Sequence, residues 1–212
     1  MLVVEREAEC EAPVLLGAYE CEVHEWVERE LARGWRVAVN VGSALGLYST
    51  GAAMRLPGAT VYAFEADDVF RRRTMQSAEL NGVANRVRAL GLADAAVLAA
   101  LPVNMNHGAL VFCDCEGCER DLLDPARVPW LHSSALCVEL HDFAAPGVTE
   151  ILRERFGETH FVEFVEQAPR NAAVWAARAR IAEADAALMC NERRTWGATE
   201  LPGRWLLASP RR

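Results

Sequence analysis

Residues 35–46 read Trp-Arg-Val-Ala-Val-Asn-Val-Gly-Ser-Ala-Leu-Gly. Trp35 to Val41 is short and Val-rich, and glycine stands on both sides of it, as expected for a strand buried on both faces. Gly42 and Gly46 then permit a tight turn. A small-residue helix follows to about Arg55 and stops at Pro57-Gly58. Upstream, Val23, Trp26, Val27 and Leu31 recur at helical spacing, Glu25 and Arg29 pair on the polar side, and Gly34 ends the helix. Downstream, Thr60 to Glu65 is a β-rich run ending in an acid, after which Asp67 or Asp68 can cap a helix that closes at Asn81-Gly82.

The alternation continues. Arg86 to Leu90, Ala109 to Asp114 and Ala135 to Leu140 read as strands, separated by helices over Ala95 to Leu101 and Gly117 to Leu123 and followed by one over Val148 to Arg155. Phe161 to Val165 is a sixth strand and Arg204 to Ala208 a seventh. Between them Val174, Ala177, Ile181, Ala184 and Leu188 mark one helix of about five turns, placed to cover a pocket or form a dimer seam. The expected architecture is α/β: a seven-stranded, mostly parallel sheet with helices on both faces and an antiparallel strand entering at the end.

The 212 residues are 52% hydrophobic and 25% charged, which suits one ordinary globular domain. No apolar run is long enough to span a membrane. Charges in Met-Leu-Val-Val-Glu-Arg-Glu stand where a signal peptide would have its apolar core, so a cytoplasmic location and reduced thiols are expected for the seven Cys. Thirty acids against 22 basic residues give a net charge of -8, which disfavours a nucleic-acid partner.

In such a sheet a ligand lies beyond the carboxyl ends of the strands. Those positions hold Gly42 and Gly46 after the first strand, Glu65 after the second, Asp114 and Glu116 after the fourth, and Glu139, His141 and Asp142 after the fifth. Glu65 lies 19 residues past Gly46, where an acid can accept hydrogen bonds from a ribose diol. Gly-x-x-x-Gly is neither the dinucleotide fingerprint nor the phosphate loop, so an adenosyl ligand without phosphates fits better.

Val39 to Tyr48, Val61 to Ala66, Asn81 to Val87 and Cys113 to Glu119 together resemble the ordered motifs of class I S-adenosylmethionine-dependent methyltransferases. Within that class the FkbM-like family is the most similar. Its Asp-x-Glu-Gly-x-Glu signature matches Asp114, Glu116, Gly117 and Glu119, and Val138 to His141 resembles its next motif. The resemblance implies a Rossmann-like methyltransferase domain over 1–212, with a helical flank (1–34), a cofactor-binding core (35–145) and a C-terminal helix with edge strands (146–212). It implies S-adenosylmethionine as cofactor and a hydroxyl of a small molecule or sugar as methyl acceptor. Asn40, Gly42, Ser43, Ala44 and Gly46 would approach the methionine part and Tyr48 would close over it; Glu65 and Ala66 would meet the ribose; Gly91, Leu92 and Asp94 would line the adenine; Asp114 would reach cofactor and acceptor alike. Asn40 departs from the acid that many members carry there, and an amide cannot ion-pair with an ammonium.

Asp114, Glu116 and His141 form the candidate catalytic group, with His141 the base by intrinsic pKa and Glu139 or Asp142 as orienters. The same three could hold a divalent ion, but Mg²⁺ and Mn²⁺ prefer oxygen and imidazole invites softer metals, so no metal is taken as required. Glu116 and Glu119 could equally cap a helix. Cys113, Cys115, Cys118 and Cys137 offer a zinc alternative, against which buried structural thiols are the commoner outcome. Two further alternatives are a noncatalytic adenosyl-binding module and an NAD-dependent oxidoreductase. His24, His107, His132 and His160 carry no assigned role, and Trp26, Trp35 and Trp175 are read as helix-to-sheet packing.

Overall fold

The computed structural model describes residues 11–190, 195–196, 199–200 and 202–211. Seven strands make one sheet: β1 (Val37–Val41), β2 (Thr60–Phe64), β3 (Val87–Leu90), β4 (Leu110–Cys113), β5 (Ala135–Glu139), β6 (His160–Glu166) and β7 (Arg204–Pro210), in the order β3-β2-β1-β4-β5-β7-β6. β1 to β5 are mutually parallel, while β7 runs antiparallel to both β5 and β6. The expected antiparallel strand is therefore internal rather than at the edge. Its Trp205-Leu-Leu-Ala208 run is buried on both faces, whereas β6 alternates and exposes Phe161, the pattern of an edge strand.

Strand alternation sorts the core into two layers. Val39, Val41, Val111, Cys113, Leu136 and Val138 face a layer with Leu98 of α5 (Ala95–Ala99), Leu122 of α6 (Glu119–Leu122) and Leu152 and Phe156 of α7 (Val148–Gly157). Ala38, Val61, Ala63, Leu110, Phe112 and Cys137 face α2 (His24–Leu31), α3 (Leu47–Arg55) and α4 (Asp68–Leu80). Two of the buried indoles place their N–H groups on acceptors, Trp130 on the Leu98 carbonyl at 2.9 Å and Trp26 on Ser209 Oγ at 3.2 Å. Full burial of a side chain such as Leu152 or Phe156 contributes about 1.5–3 kcal/mol. Asp67 caps α4, accepting from the Val69 and Phe70 amides.

The single long C-terminal helix does not form. Arg180 takes a left-handed φ of 58°, and the chain breaks into α8 (Ala172–Ala179) and α9 (Glu183–Met189). Val174 and Leu188 of the anticipated stripe are exposed; Trp175, Ala176 and Ala186 are buried instead, against Leu16 of α1 (Glu11–Leu16) and Ala18. A six-residue helix is about 9 Å long and cannot cover Trp175 and Ala186, which a straight helix would hold about 16 Å apart. Breaking the helix folds both onto the same short partner. No described helix is long and apolar enough to cross a membrane.

Gly42 is the tightest point of the fold. Its φ is +77°, and a Cβ there would lie 1.6 Å from the Asp114 carbonyl oxygen. Gly42→Ala should lower unfolding stability by at least about 3 kcal/mol. Gly82→Ala, at φ +69° with nothing within 4 Å, should cost only about 1–2 kcal/mol. Urea unfolding of the two variants measures the difference, and equal costs would contradict the steric argument.

Candidate functional site

The carboxyl ends of β1, β2, β4 and β5 converge on the loop after β1. Gly42 and Ser43 donate their amides to the Phe64 carbonyl at 2.9 and 3.0 Å, tying that loop to the end of β2. α4 holds its other side. Thr74 Oγ1 donates to the Ala44 carbonyl at 2.9 Å and Ser77 Oγ to the Leu45 carbonyl at 2.8 Å, which leaves Ser43 Oγ to donate to Thr74 Oγ1 at 2.9 Å. Gly46, at φ +82°, lets the loop approach α4, since a Cβ would lie 3.0 Å from Thr74 Cα. Glu65 closes the arrangement by accepting from the Ala44 amide at 2.9 Å and the Asp67 amide at 3.0 Å. Each of its oxygens retains a lone pair for a further donor.

Two cavities open on either side of this loop. The smaller, about 100 Å³, lies on the α3 side and is lined by Asn40, Ser43, Tyr48, Glu20, Glu139 and Trp205 among others. The larger, about 400 Å³, lies on the opposite side and is lined by Glu65, Ala66, Phe70, Leu92, Ala93 and Glu116 with the nearby loop residues. Gly42, Ala44 and Asp114 line both. Gly46, Gly91, Asp94 and His141 line neither. Asp94 instead caps α5, accepting from the Val97 amide at 2.8 Å, and Ala93 takes the wall position expected of its neighbours. Asn40 is buried and accepts from Ser49 Oγ at 2.7 Å. Tyr48 stacks on Phe112 with centroids 4.6 Å apart and donates its hydroxyl to Glu20, so it is fixed in the wall and does not act as a lid.

Behind Asp114 lies a chain of charges. His141, 4% exposed, is 2.5 Å through Nδ1 from Glu119 Oε1; its Nε2 lies 3.5 Å from Asp114 Oδ1 and 3.6 Å from Glu116 Oε2. Glu119 is fully buried and also accepts from the Gly117 amide at 3.2 Å. Burial opposes a charge on His141, but the Glu119 hydrogen bond and charge, with Asp114 and Glu139, outweigh it and raise the imidazole to about 9. The neutral base expected at His141 is thus an imidazolium at neutral pH. Burial, then the charges of Glu139 and Glu20, push Asp114 well above the usual carboxylate range, with His141 opposing them. The Oδ1 atom of Asp114 is buried and accepts no hydrogen bond among the described residues.

Among the described residues, the donor atoms of Asp114, Glu139 and His141 come within 4.8 Å of one another, so Glu139 replaces Glu116 in the candidate metal set. A metal there would have to displace a proton held to about pH 9, which counts against it. The four-thiolate set fails on register. Cys113 pairs with Val138, leaving Cys137 on the other face of the sheet, although Cys113 and Cys115 sulfurs lie 3.6 Å apart. Two wall residues were missed from the sequence: Glu20, which comes from the N-terminal flank and carries no motif, and Phe70, whose one signal is its place in the first turn after the Asp67 cap.

No protein-family model and no curated protein matches the chain. Solved structures do share its fold. An O-methyltransferase from Streptomyces achromogenes involved in tomaymycin synthesis, solved in complex with SAM, is 14% identical, with a TM-score of 0.54 over 98% of this chain and 92% of that one. Precorrin 8w decarboxylase from Methanobacterium thermoautotrophicum is 14% identical, with a TM-score of 0.56 and coverage of 97% and 93%. Precorrin-6y C5,15-methyltransferase from Geobacter metallireducens is 12% identical, with a TM-score of 0.55 and coverage of 91% and 92%. The chain therefore has the Rossmann-like methyltransferase fold.

The buried ion pair can be tested by pH. His141's folded value lies above the 6.5 of free imidazole, so its stabilisation is complete below pH 6.5 and is lost as pH rises through about 9. Glu119→Gln should return the imidazole titration, followed by NMR, to near or below 6.5. It should also remove at most about 3 kcal/mol of stability at pH 6, with a smaller loss above pH 9. An unchanged titration would refute the pairing.

Proposed function

We propose that this chain is an S-adenosylmethionine-dependent methyltransferase of the FkbM-like kind, methylating a hydroxyl of a small molecule. The observation that carries the reading is the pair of cavities meeting at Gly42, Ala44 and Asp114, with Glu65 on one side and the carboxylates of Glu20, Asp114 and Glu139 on the other. Glu65, already oriented by two amides, has the capacity to accept from ribose hydroxyls. Leu92, Ala93 and Phe70 give apolar walls suited to a base. The three carboxylates favour the ammonium and sulfonium of the cofactor, and Oδ1 of Asp114, which faces His141 at 3.5 Å but accepts no hydrogen bond among the described residues, supplies a free acceptor. Asn40 can contribute a hydrogen bond there but no charge.

When bound, the cofactor supplies an electrophilic methyl group. The protein's work is alignment, exclusion of water and removal of the acceptor's proton. Asp114, with its raised proton affinity, is the group to take that proton from the hydroxyl, while the imidazolium of His141, held by Glu119, keeps Asp114 in place and balances its charge. Glu116, exposed on the rim of the larger cavity, faces the same imidazolium. The Asp-x-Glu-Gly-x-Glu spacing supports the finer family reading: its first and last acids flank His141, and its glycine, at φ +106°, makes the turn between them.

Calorimetry tests the proposal. S-adenosylmethionine and S-adenosylhomocysteine should bind and NAD should not; Glu65→Ala should weaken binding at least about tenfold. Tight binding of NAD alone would sink the reading. Screening a metabolite extract for cofactor-dependent gain of one methyl group should then identify the acceptor, and Asp114→Asn should slow its turnover by about 10²–10³-fold. Wild-type turnover in both Asp114→Ala and His141→Ala would show the catalytic assignment to be wrong.

A further inference from the structure

A larger cleft, about 590 Å³, lies at the opposite pole of the sheet, where β1, β4 and β5 begin and β7 ends. Its walls include Arg33, which is paired with Glu30 at 3.0 Å, Trp35, Arg36, His107, His132 and Arg211, and among the described residues no Asp or Glu lines it. In a chain of net charge -8 this is a local reversal of sign. Among the described residues no carboxylate pairs with Arg36 or Arg211. Arg211 is nonetheless held in place. Its Nε donates to the His160 carbonyl at 3.1 Å and one terminal nitrogen to the Gly157 carbonyl at 3.3 Å, leaving three N–H groups uncommitted.

An independent observation points to a ligand. Trp35 is 9% exposed, and its indole N–H is buried with no acceptor among the described residues, in contrast to Trp26 and Trp130. A buried donor left without an acceptor is unfavourable, and a ligand oxygen reaching it at the wall that Trp35 forms would relieve this. The floor is rigid as well: Gly108 abuts Ser133 so closely that a Cβ would lie 2.2 Å from its carbonyl oxygen, and the Ala109 amide is fixed on Ser134 Oγ at 2.9 Å.

We propose that this cleft binds a small phosphate-bearing molecule. Guanidinium forks match the geometry of phosphate oxygens, and an indole N–H supplies a further donor. The volume suits a ligand of metabolite size. A long polyanion is disfavoured because a chain of net charge -8 would repel whatever extends past the cleft. This proposal is independent of the methyltransferase reading, since the residues involved lie at the other end of the strands.

Calorimetry on the full chain with inorganic pyrophosphate and with ribose 5-phosphate tests it, neither probe carrying an adenine for the other cavities. Binding is expected at millimolar concentration or below, weakened at least about tenfold by Arg36→Gln and by Trp35→Phe and unchanged by Glu65→Ala. Trp35→Phe removes the donor together with the pyrrole half of a buried indole and keeps an aromatic ring there, so its fold is checked by circular dichroism, whereas Arg36 is exposed and Arg36→Gln leaves folding intact. Absence of binding, binding insensitive to both cleft variants, or equal binding of acetate would overturn the proposal.

Discussion

The ends of β1 and β4 meet where Gly42, without a side chain, leaves room for the backbone carbonyl of Asp114. The Asp114 amide meanwhile extends the ladder to the Val41 carbonyl at 3.0 Å. Both cavities border this contact. It therefore does more than close a turn: by bringing two strand ends within backbone distance, it places the Asp114 carboxyl between the two spaces. Glycine at 42 looks like a ligand-binding residue in the sequence, and sheet packing alone already demands it. The close approach to a ligand is a consequence of that packing.

Much of the fold was legible because buried parallel strands leave compact Val-rich runs, and every one of the seven runs is a strand of the sheet. What the sequence concealed were properties set by distant partners. The stripe from Val174 to Leu188 has perfect helical spacing, yet the apolar surface that Trp175 and Ala186 need is one short helix far away in sequence, and that decided the break at Arg180. The four-cysteine cluster fails because strand parity, invisible in Cys spacing across two strands, separates Cys113 from Cys137. His141 illustrates the same limit in chemistry. Its intrinsic pKa suggests a base, but Glu119, 22 residues earlier, supplies the charge that keeps its proton on.

Charge is divided between the two poles of the sheet. Carboxylates gather where the strands end, around Asp114, and arginines gather where they begin, around Trp35. The overall acidity describes neither place. A net charge speaks to long-range steering and solubility, whereas binding is decided within about a Debye length, near 8 Å at physiological salt.

Backbone strain follows the cavities too. Four non-glycine residues among those described have positive φ: Glu20, Ala44, Glu116 and Arg180. Arg180 closes a helix, while Glu20 lines the smaller cavity, Ala44 both, and Glu116 the larger. Such conformations cost about 1–3 kcal/mol each and persist only when their surroundings fix them. Here the surroundings are identifiable: the Ala44 amide is held by Glu65, the Glu116 turn is followed by a glycine packed on Ala144, and Glu20 receives the Tyr48 hydroxyl. A loop free to relax would give up these conformations, so their retention implies walls set in place by the rigid sheet before any ligand arrives. For chemistry that depends on alignment more than on bond-making by the protein, that preorganisation is where the fold contributes most.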